Sequence, residues 1–497
     1  MPRALVLPSL PHGPASRAAL AAAVRAALLA GSLCPGELLP SLRDLAAQSG
    51  LHWHTVRAAL LELESEGWLA AEPRRGYRAL APPDGAPPAW NRGAGAKGRG
   101  GGLEAERGPQ PCGQGRAAAV ARDFGPAAPE PGPFTSDLRW GHADLRSFPL
   151  AEFRGHWRGA LRRLKPELLG YGDPRGHGPY LAQLADYLRR RRGLLGRELL
   201  ATQGSQEALH LVAQVLLRSG DRVAVERLAY GGALEVFRAA DAVVDRLDQD
   251  EEGLVPESLE RLLRRGRTRL LYLTPLHQYP TTTGLGAPRR RRIYELLRRH
   301  GVLLLEDDYD HEVHYRGQPQ EPMAAHDPAG IVVYVSSFSK VLLPSLRLGF
   351  LALPPGLGPA FASARRVISR QGDTLVQEAM GRWMAEDGFE RHLRRVRRIS
   401  LDRLDFFERG LHGLRRKGLR LDWRRPDGGL ALWLDLGQDS ARAAARAARL
   451  GLGILPESQF SEGGNGQHAR LGFARINHSE QQRALELLGR SLAKPGS

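Results

Sequence analysis

Lysine is rare in this chain. Lys97, Lys165, Lys340, Lys417 and Lys494 are five among 71 lysines and arginines. Where a cation alone would serve, the sequence uses arginine. Arginine keeps its proton in proteins, whereas a lysine amine can lose it and attack a carbonyl. Lys340 stands out by position, because it closes the stretch IVVYVSSFSK, five apolar residues followed by three serines around a phenylalanine. Other residues with chemical potential follow other apolar runs. Asp307, Asp308, Tyr309 and Asp310 come after VLLLE, Tyr230 after RVAVE, and His277, Gln278 and Tyr279 after LLYLTP. In TQGSQEALHLVAQVLL a Gly-Ser turn opens a helix at Ser205 and Gln206, and a helix start offers free amides to an anion.

One ligand would use all of these groups: an aldehyde carrying a cationic ring nitrogen and a phosphate. Lys340 would bind the aldehyde as a Schiff base, which needs the neutral amine. Asp307 would keep the ring nitrogen protonated and make the ring an electron sink. Tyr309 would donate to the ring oxygen and Tyr230 would stack on the ring. The amides of Ser205 and Gln206, with Ser337 and Arg347, would hold the phosphate. Each residue alone has a blander account. Tyr230 and Tyr309 serve equally as rim or core tyrosines, and Asp308 and Asp310 are expected in solvent or as caps. The ordered coincidence carries the argument.

The elements that must position these residues are legible. RVAVE, RLLYLTP, VLLLEDDYD, IVVYVSS and LGFLALP are short, apolar on both faces and separated by helical stretches. That pattern predicts, over residues 135–497, an α/β three-layer domain with a mainly parallel sheet covered on both sides. Ligands of such sheets sit at the carboxyl ends of the strands.

From about Asp137 to Arg475 the motifs YGDPRGHGPYLAQLADYLRRRRG, TPLHQYPT, EDDYDHEVHYRGQP, SSFSKVLLPSLRLGF, RHLRRVRR and ARLGFA resemble the aminotransferase-type domain of fold-type I pyridoxal phosphate proteins. The resemblance implies pyridoxal 5′-phosphate as cofactor. Lys340 is then the Schiff-base lysine, with Asp307 on the pyridine nitrogen, Tyr309 on the phenolic oxygen, and Arg347 and Ser337 on the phosphate. It also implies Arg470 as the clamp for a substrate or effector carboxylate, a small C-terminal α+β subdomain over roughly 375–497, and a homodimer. The sequence departs from the family twice. ERLAYGG keeps Tyr230 without the usual proline turn, and Thr282 replaces the glycine of Pro-Thr-Gly, which lets backbone approach the cofactor.

Residues 1–80 read differently. Leu20, Val24, Ala27 and Leu28 keep helical spacing, Ser41 can cap a second helix, and Val56, Leu60 and Leu63 share one face of a third. WLAAEPRRGYRAL then has hairpin character. Helix, helix, turn, helix, hairpin is the order of a winged helix-turn-helix, whose third helix enters the major groove N-terminus first. His52, His54, Thr55 and Arg57 lie there, while Arg43, Arg74 and Arg75 can reach phosphates. A three-helix protein-binding module has the same pattern. The run AGSLCPGELLPSLRDLAAQSGLHWHTVRAALLELESEGWL, however, resembles the GntR family of winged-helix regulators. The two halves together resemble MocR-type regulators. The resemblance implies double-stranded DNA with two half-sites as partner, and an amine, an amino acid or the cofactor itself as effector. A working aminotransferase with an accessory head is the alternative.

Between the halves, residues 81–134 are expected to be a flexible linker, because glycine and proline supply 22 of the 54 and no apolar period survives. The net charge of +17 is not concentrated in the head, so it supports attraction to polyanions only weakly. The two cysteines, Cys34 and Cys112, provide neither metal spacing nor a disulfide framework, as expected of a cytoplasmic protein that binds no metal. AALAAAVRAALLAGSLC has a leader-like look, but Arg25 interrupts it, and no apolar run reaches the ~18 residues a membrane span needs.

Overall fold

The computed structural model describes residues 16–29, 32–72, 75–81, 134–162, 169–317, 320–461 and 466–493. The expected linker lies outside the described residues except for Ala81 and Phe134, and so does Arg74. The chain divides into two compact units, with the boundary inside that segment.

In the first unit, Leu20, Val24, Ala27 and Leu28 form the buried face of α1 (Arg17–Leu29). Ser41 caps α2 (Leu42–Ser49), its Oγ accepting from the Asp44 amide at 3.3 Å. That satisfies one of the amides a helix start leaves open. α3 (Trp53–Ser65) turns Val56, Leu60 and Leu63 inward. Arg25 on α1 donates to Glu66 and Glu62, at 2.7 and 3.3 Å, and ties α1 to the far end of α3. β1 (Leu69–Glu72) and β2 (Gly76–Ala79) pair antiparallel. This is the expected winged helix-turn-helix order.

The second unit is built on a seven-stranded sheet. Its strands are β3 (Glu198–Thr202), β4 (Arg222–Glu226), β5 (Val243–Leu247), β6 (Thr268–Leu273), β7 (Leu303–Asp308), β8 (Val332–Ser337) and β9 (Gly349–Leu353), in spatial order β3-β9-β8-β7-β6-β4-β5. β9 runs antiparallel to β8 and β3, and every other neighbouring pair is parallel. On β8, Val332 and Tyr334 enter one hydrophobic core while Val333 and Val335 enter another. A strand buried on both faces must be apolar throughout, which is why these runs show no alternation. Helix α4 (Gly178–Arg192) buries Tyr180, Leu184 and Leu188 in the first of these cores, and α5 (Ser205–Leu216) and α6 (Gly231–Ala239) bury residues in the second.

A long helix, α7 (Gly388–Arg416), leads to a smaller antiparallel sheet of β10 (Asp422–Trp423), β11 (Ala431–Asp435), β12 (Leu455–Pro456) and β13 (His468–Gly472), in order β10-β11-β13-β12. Helices α8 (Ser440–Arg449) and α9 (His478–Leu492) pack beside it. This is the expected α+β subdomain. No helix among the described residues is long and apolar enough to cross a membrane.

Candidate cofactor and effector site

β8 ends at Ser337, and the chain turns at once into a 3₁₀ turn, Phe338–Lys340. Ser337 fixes the turn, its Oγ accepting from the Ser339 amide at 3.1 Å, and Phe338 is fully buried beneath it. Lys340 is thereby held at the sheet's carboxyl edge, half-buried, with Nζ 6.0 Å from the centre of the Tyr309 ring. Loss of solvent, together with the Arg470 guanidinium, brings the amine down to about 8, against the opposing pull of Asp310 and Asp307.

Asp307 stands one strand away, paired in register with Val335. The Tyr272 hydroxyl, on β6, donates to its Oδ2 at 2.8 Å, while its Oδ1 is buried with no hydrogen-bond partner. Burial raises the carboxyl to about 7, although Tyr272 and Lys340 favour the carboxylate. The Tyr309 hydroxyl is also buried and finds no partner in hydrogen-bonding geometry, and Arg470 acts on it through charge. Two buried polar atoms without a protein partner, beside a lysine whose amine is lowered by burial, suit a ligand that brings a ring nitrogen and a ring oxygen, since buried polar groups are otherwise paired.

An arginine set beside a helix start completes this edge. Arg347 adopts a left-handed backbone, φ 51°, and its Nη2 donates to the Gln203 carbonyl at 2.7 Å. Its guanidinium lies over Gly204, where a Cβ would come within 3.1 Å of it. Gly204 (φ 80°) is also the N-cap of α5, so the guanidinium lies beside the start of that helix, where Ser205 and Gln206 follow. The Gln206 side chain donates to the Gly232 carbonyl at 2.9 Å. Tyr230 caps α6 with its ring folded over Gly232, edge-to-face with Tyr279 at 5.4 Å.

Arg470 comes from the other sheet. It lies on β13 opposite Trp433 of β11 and is 2% exposed. Its Cζ stands 4.5 Å above the Tyr279 ring, its Nε has no partner, and among the described residues it forms no ion pair with a carboxylate. A buried cation without a counter-ion is costly, so the place favours an anion.

The structure corrects one expectation. Asp308 and Asp310 are not in solvent, each being 3% exposed. Asp308 Oδ2 accepts from the Tyr334 hydroxyl at 2.6 Å and lies 2.7 Å from His311 Nδ1, and Asp310 pairs with His277 at 2.7 Å. Although burial opposes it, Asp310 holds His277 above its ordinary pKa. Beneath Asp308 lies a dry ion pair. Arg192 binds Glu312 and Tyr334, and donates to Ser336 Oγ at 2.9 Å. The second departure from the family also has a structural meaning. Thr282 adopts φ 62°, the left-handed region that glycine tolerates and a β-branched residue resists. Sequence reasoning missed Tyr272, whose signal was a lone tyrosine inside an aliphatic strand.

On the first unit, His52, His54 and Arg57 are exposed at the start of α3, and Thr55 is half-buried beside them. Arg43 on α2 and Arg75 in the hairpin turn are exposed too. His52 Nδ1 accepts from the His54 amide at 3.5 Å. Trp53, to which the sequence assigns no role, stacks on His54 at 3.6 Å and is 42% exposed.

Residues 151–488 match the family of aminotransferases of class I and II, and residues 17–78 match the bacterial regulatory proteins of the gntR family. The chain is 32% identical over 391 residues to the probable rhizopine catabolism regulatory protein MocR of Rhizobium meliloti, covering 77% of this chain and 74% of that one. This chain belongs to the MocR-type GntR regulators. This regulator is also 27% identical, over 95% of its length and 94% of the relative's, to the pyridoxine biosynthesis transcriptional regulator PdxR of Corynebacterium glutamicum. Its second unit resembles the crystal structure of LysN, the α-aminoadipate aminotransferase of Thermus thermophilus complexed with N-(5′-phosphopyridoxyl)-L-leucine. There the TM-score is 0.66 at 29% identity, over 72% of this chain and 91% of that one. The regulator therefore joins a DNA-binding winged helix to a fold-type I aminotransferase-like domain, and pyridoxal 5′-phosphate is the cofactor its open donor set fits.

Proposed function

We propose that this regulator holds pyridoxal 5′-phosphate at Lys340 and reports an amine, an amino acid or the cofactor itself to its DNA-binding head. The observation that carries this is the convergence of Lys340, the open Oδ1 of Asp307, the open hydroxyl of Tyr309 and Arg347 beside the start of α5 at one sheet edge. When bound, the cofactor supplies an aldehyde on an electron-withdrawing ring. The protein does the rest. Lys340, with its amine at about 8, is neutral in a useful fraction of molecules and can take the aldehyde. Asp307 holds a proton at the ring nitrogen, Tyr309 orients the phenolic oxygen, and Tyr230 walls the ring. Arg347, Ser337 and the amides of Ser205 and Gln206 bind the phosphate. Arg470 takes the effector's carboxylate. His52, His54, Thr55 and Arg57 face the major groove, and Arg43, Arg74 and Arg75 reach phosphates. Two heads of a cytoplasmic homodimer then read two half-sites, with the segment 81–134 between head and sensor.

The test is a visible spectrum of the full-length protein with pyridoxal phosphate, taken across a panel of amines and amino acids and paired with binding to its own upstream DNA. A band that Lys340→Ala abolishes, that one amine shifts without release of a keto acid, and that changes DNA affinity supports the proposal. Sustained release of keto acid would make the protein a transaminase first. A wild type without the band would sink the assignment of Lys340.

A further inference from the structure

The winged-helix head carries an aromatic group that its fold does not use. Its core closes on Leu20, Val24, Val56, Leu60 and Trp68. Trp68 is buried there, whereas Trp53 stands outside that core and is exposed. Trp53 opens α3, and Cα–Cβ bonds in a helix tilt toward its N-terminus. The rings of Trp53 and His54 therefore project ahead of the first turn. Successive helical residues point about 100° apart, so the backbone does not impose a stack between neighbours. Here the Trp53 and His54 rings nevertheless lie 3.6 Å apart and 29° from parallel. His54 in turn stands 5.3 Å from the His52 ring, at 22°. His52 is held as the N-cap of α3, its Nδ1 accepting from the His54 amide at 3.5 Å. The tip of the helix that enters the groove is thus a braced aromatic plate.

A plate of that kind selects its target by chemistry. Base edges in the major groove present hydrogen-bond donors, acceptors and a single apolar group, the C5 methyl of thymine. The carbon face of an indole gains little from a phosphate or a polar edge, and gains by shedding water against a methyl group. Positioning is left to the cations. Arg57 follows Trp53 by one helical turn, so the two share a side of α3, and Arg57 is exposed. An arginine there can hold the backbone while the ring beside it meets a base edge.

We propose that Trp53 is a specificity-determining residue that reads the C5 methyl of a thymine in each half-site, with His54 and His52 bracing its ring. The inference rests on the reading of the head as a binder of two half-sites. The experiment measures binding of the full-length protein to the footprinted segment of its own upstream DNA at fixed salt. Each thymine is replaced in turn by deoxyuridine, which lacks only that methyl. In the wild type, one thymine per half-site should respond, each replacement weakening binding about fourfold. Trp53→Ala should bind unmodified DNA about fourfold more weakly or worse, and should be indifferent, within about 1.5-fold, to deoxyuridine at those positions. Trp53→Phe, which keeps a ring, should retain a penalty of about twofold. Neither variant removes a charge, so the slope of affinity against salt should not change. Comparing variants and DNAs as a double difference cancels any general weakening of the head. Trp53→Ala that keeps the full penalty at the responsive thymines, or a wild type in which no thymine responds, would overturn the inference. A wild type without sequence-selective binding would instead strike the DNA-binding reading, and this inference with it.

Discussion

Asp307→Asn should make the cofactor-free protein less sensitive to alkaline pH. Burial raises the Asp307 carboxyl from 3.8 to about 7 in the folded state. The folded protein therefore binds a proton that the unfolded chain has lost, and stability falls as pH rises from the unfolded pKa to the folded one. At about 1.4 kcal/mol per pH unit, the whole interval costs about 4 kcal/mol. The part between pH 5.5 and about 7 is about 2 kcal/mol. Asparagine cannot ionise, so this slope disappears. Tyr272 can still donate to its oxygen, and its buried amide adds a constant cost of about 1–3 kcal/mol at every pH. The decisive quantity is therefore a double difference. Measured by urea denaturation of the cofactor-free protein, the stability of Asp307→Asn relative to wild type should improve by about 2 kcal/mol from pH 5.5 to pH 8.5. Added pyridoxal phosphate should stabilise the wild type more than the variant, because only the carboxylate pairs with a protonated ring nitrogen. A flat or falling double difference would refute the assignment of Asp307 as a desolvated acid.

Other perturbations follow from the same geometry. Arg470→Gln removes a cation that depresses Lys340, so the midpoint for pH-dependent loading with pyridoxal phosphate should move upward from about 8, as followed by the rate of band formation. Arg347→Gln should weaken cofactor affinity by about 10–100-fold in equilibrium titration, the worth of a charge-assisted hydrogen bond. Thr282→Gly exchanges a left-handed β-branched residue for one that tolerates φ 62°, and after glycine's own entropic cost it should raise stability by about 0.5–1 kcal/mol in urea. Arg57→Ala should weaken operator binding evenly across sequences or selectively at one base pair. A drop of about 1 in the logarithmic salt slope would mark a phosphate contact, and an unchanged slope with relaxed specificity a base contact.

The sheet and the cofactor side of the site were legible for a common reason. Lys340, Asp307, Tyr309 and Tyr230 each follow an apolar strand closely, so predicting the strands placed the residues. Local pattern served the head equally well, through the Ser41 cap and the inward face Val56, Leu60 and Leu63. The failures lie where placement depends on distant chain. Asp308 and Asp310 look like solvent-facing acids in a run of charges, and only folding brings Tyr334 and His277 over them. The approach of Gly141 to Arg470 joins residues more than three hundred positions apart, and no periodicity records it. Thr282 was legible as an anomaly, but its left-handed backbone was not.

The Arg192 layer has a consequence for assembly of the sheet. Tyr334 and Ser336 sit two apart on β8, so they share a face and reach Arg192 and Asp308 together. A slip of β8 by one residue would replace Tyr334 by a valine and Ser336 by a valine or Ser337, and take the tyrosine hydroxyl away from Arg192 and Asp308. Leaving a buried polar group without its hydrogen bond in that way costs about 1–3 kcal/mol, whereas aliphatic strands such as these carry no polar contact that distinguishes one frame from the next. The same alignment sets Asp307 opposite Val335. The polar layer therefore favours the one frame of the sheet in which Lys340 and Asp307 come together.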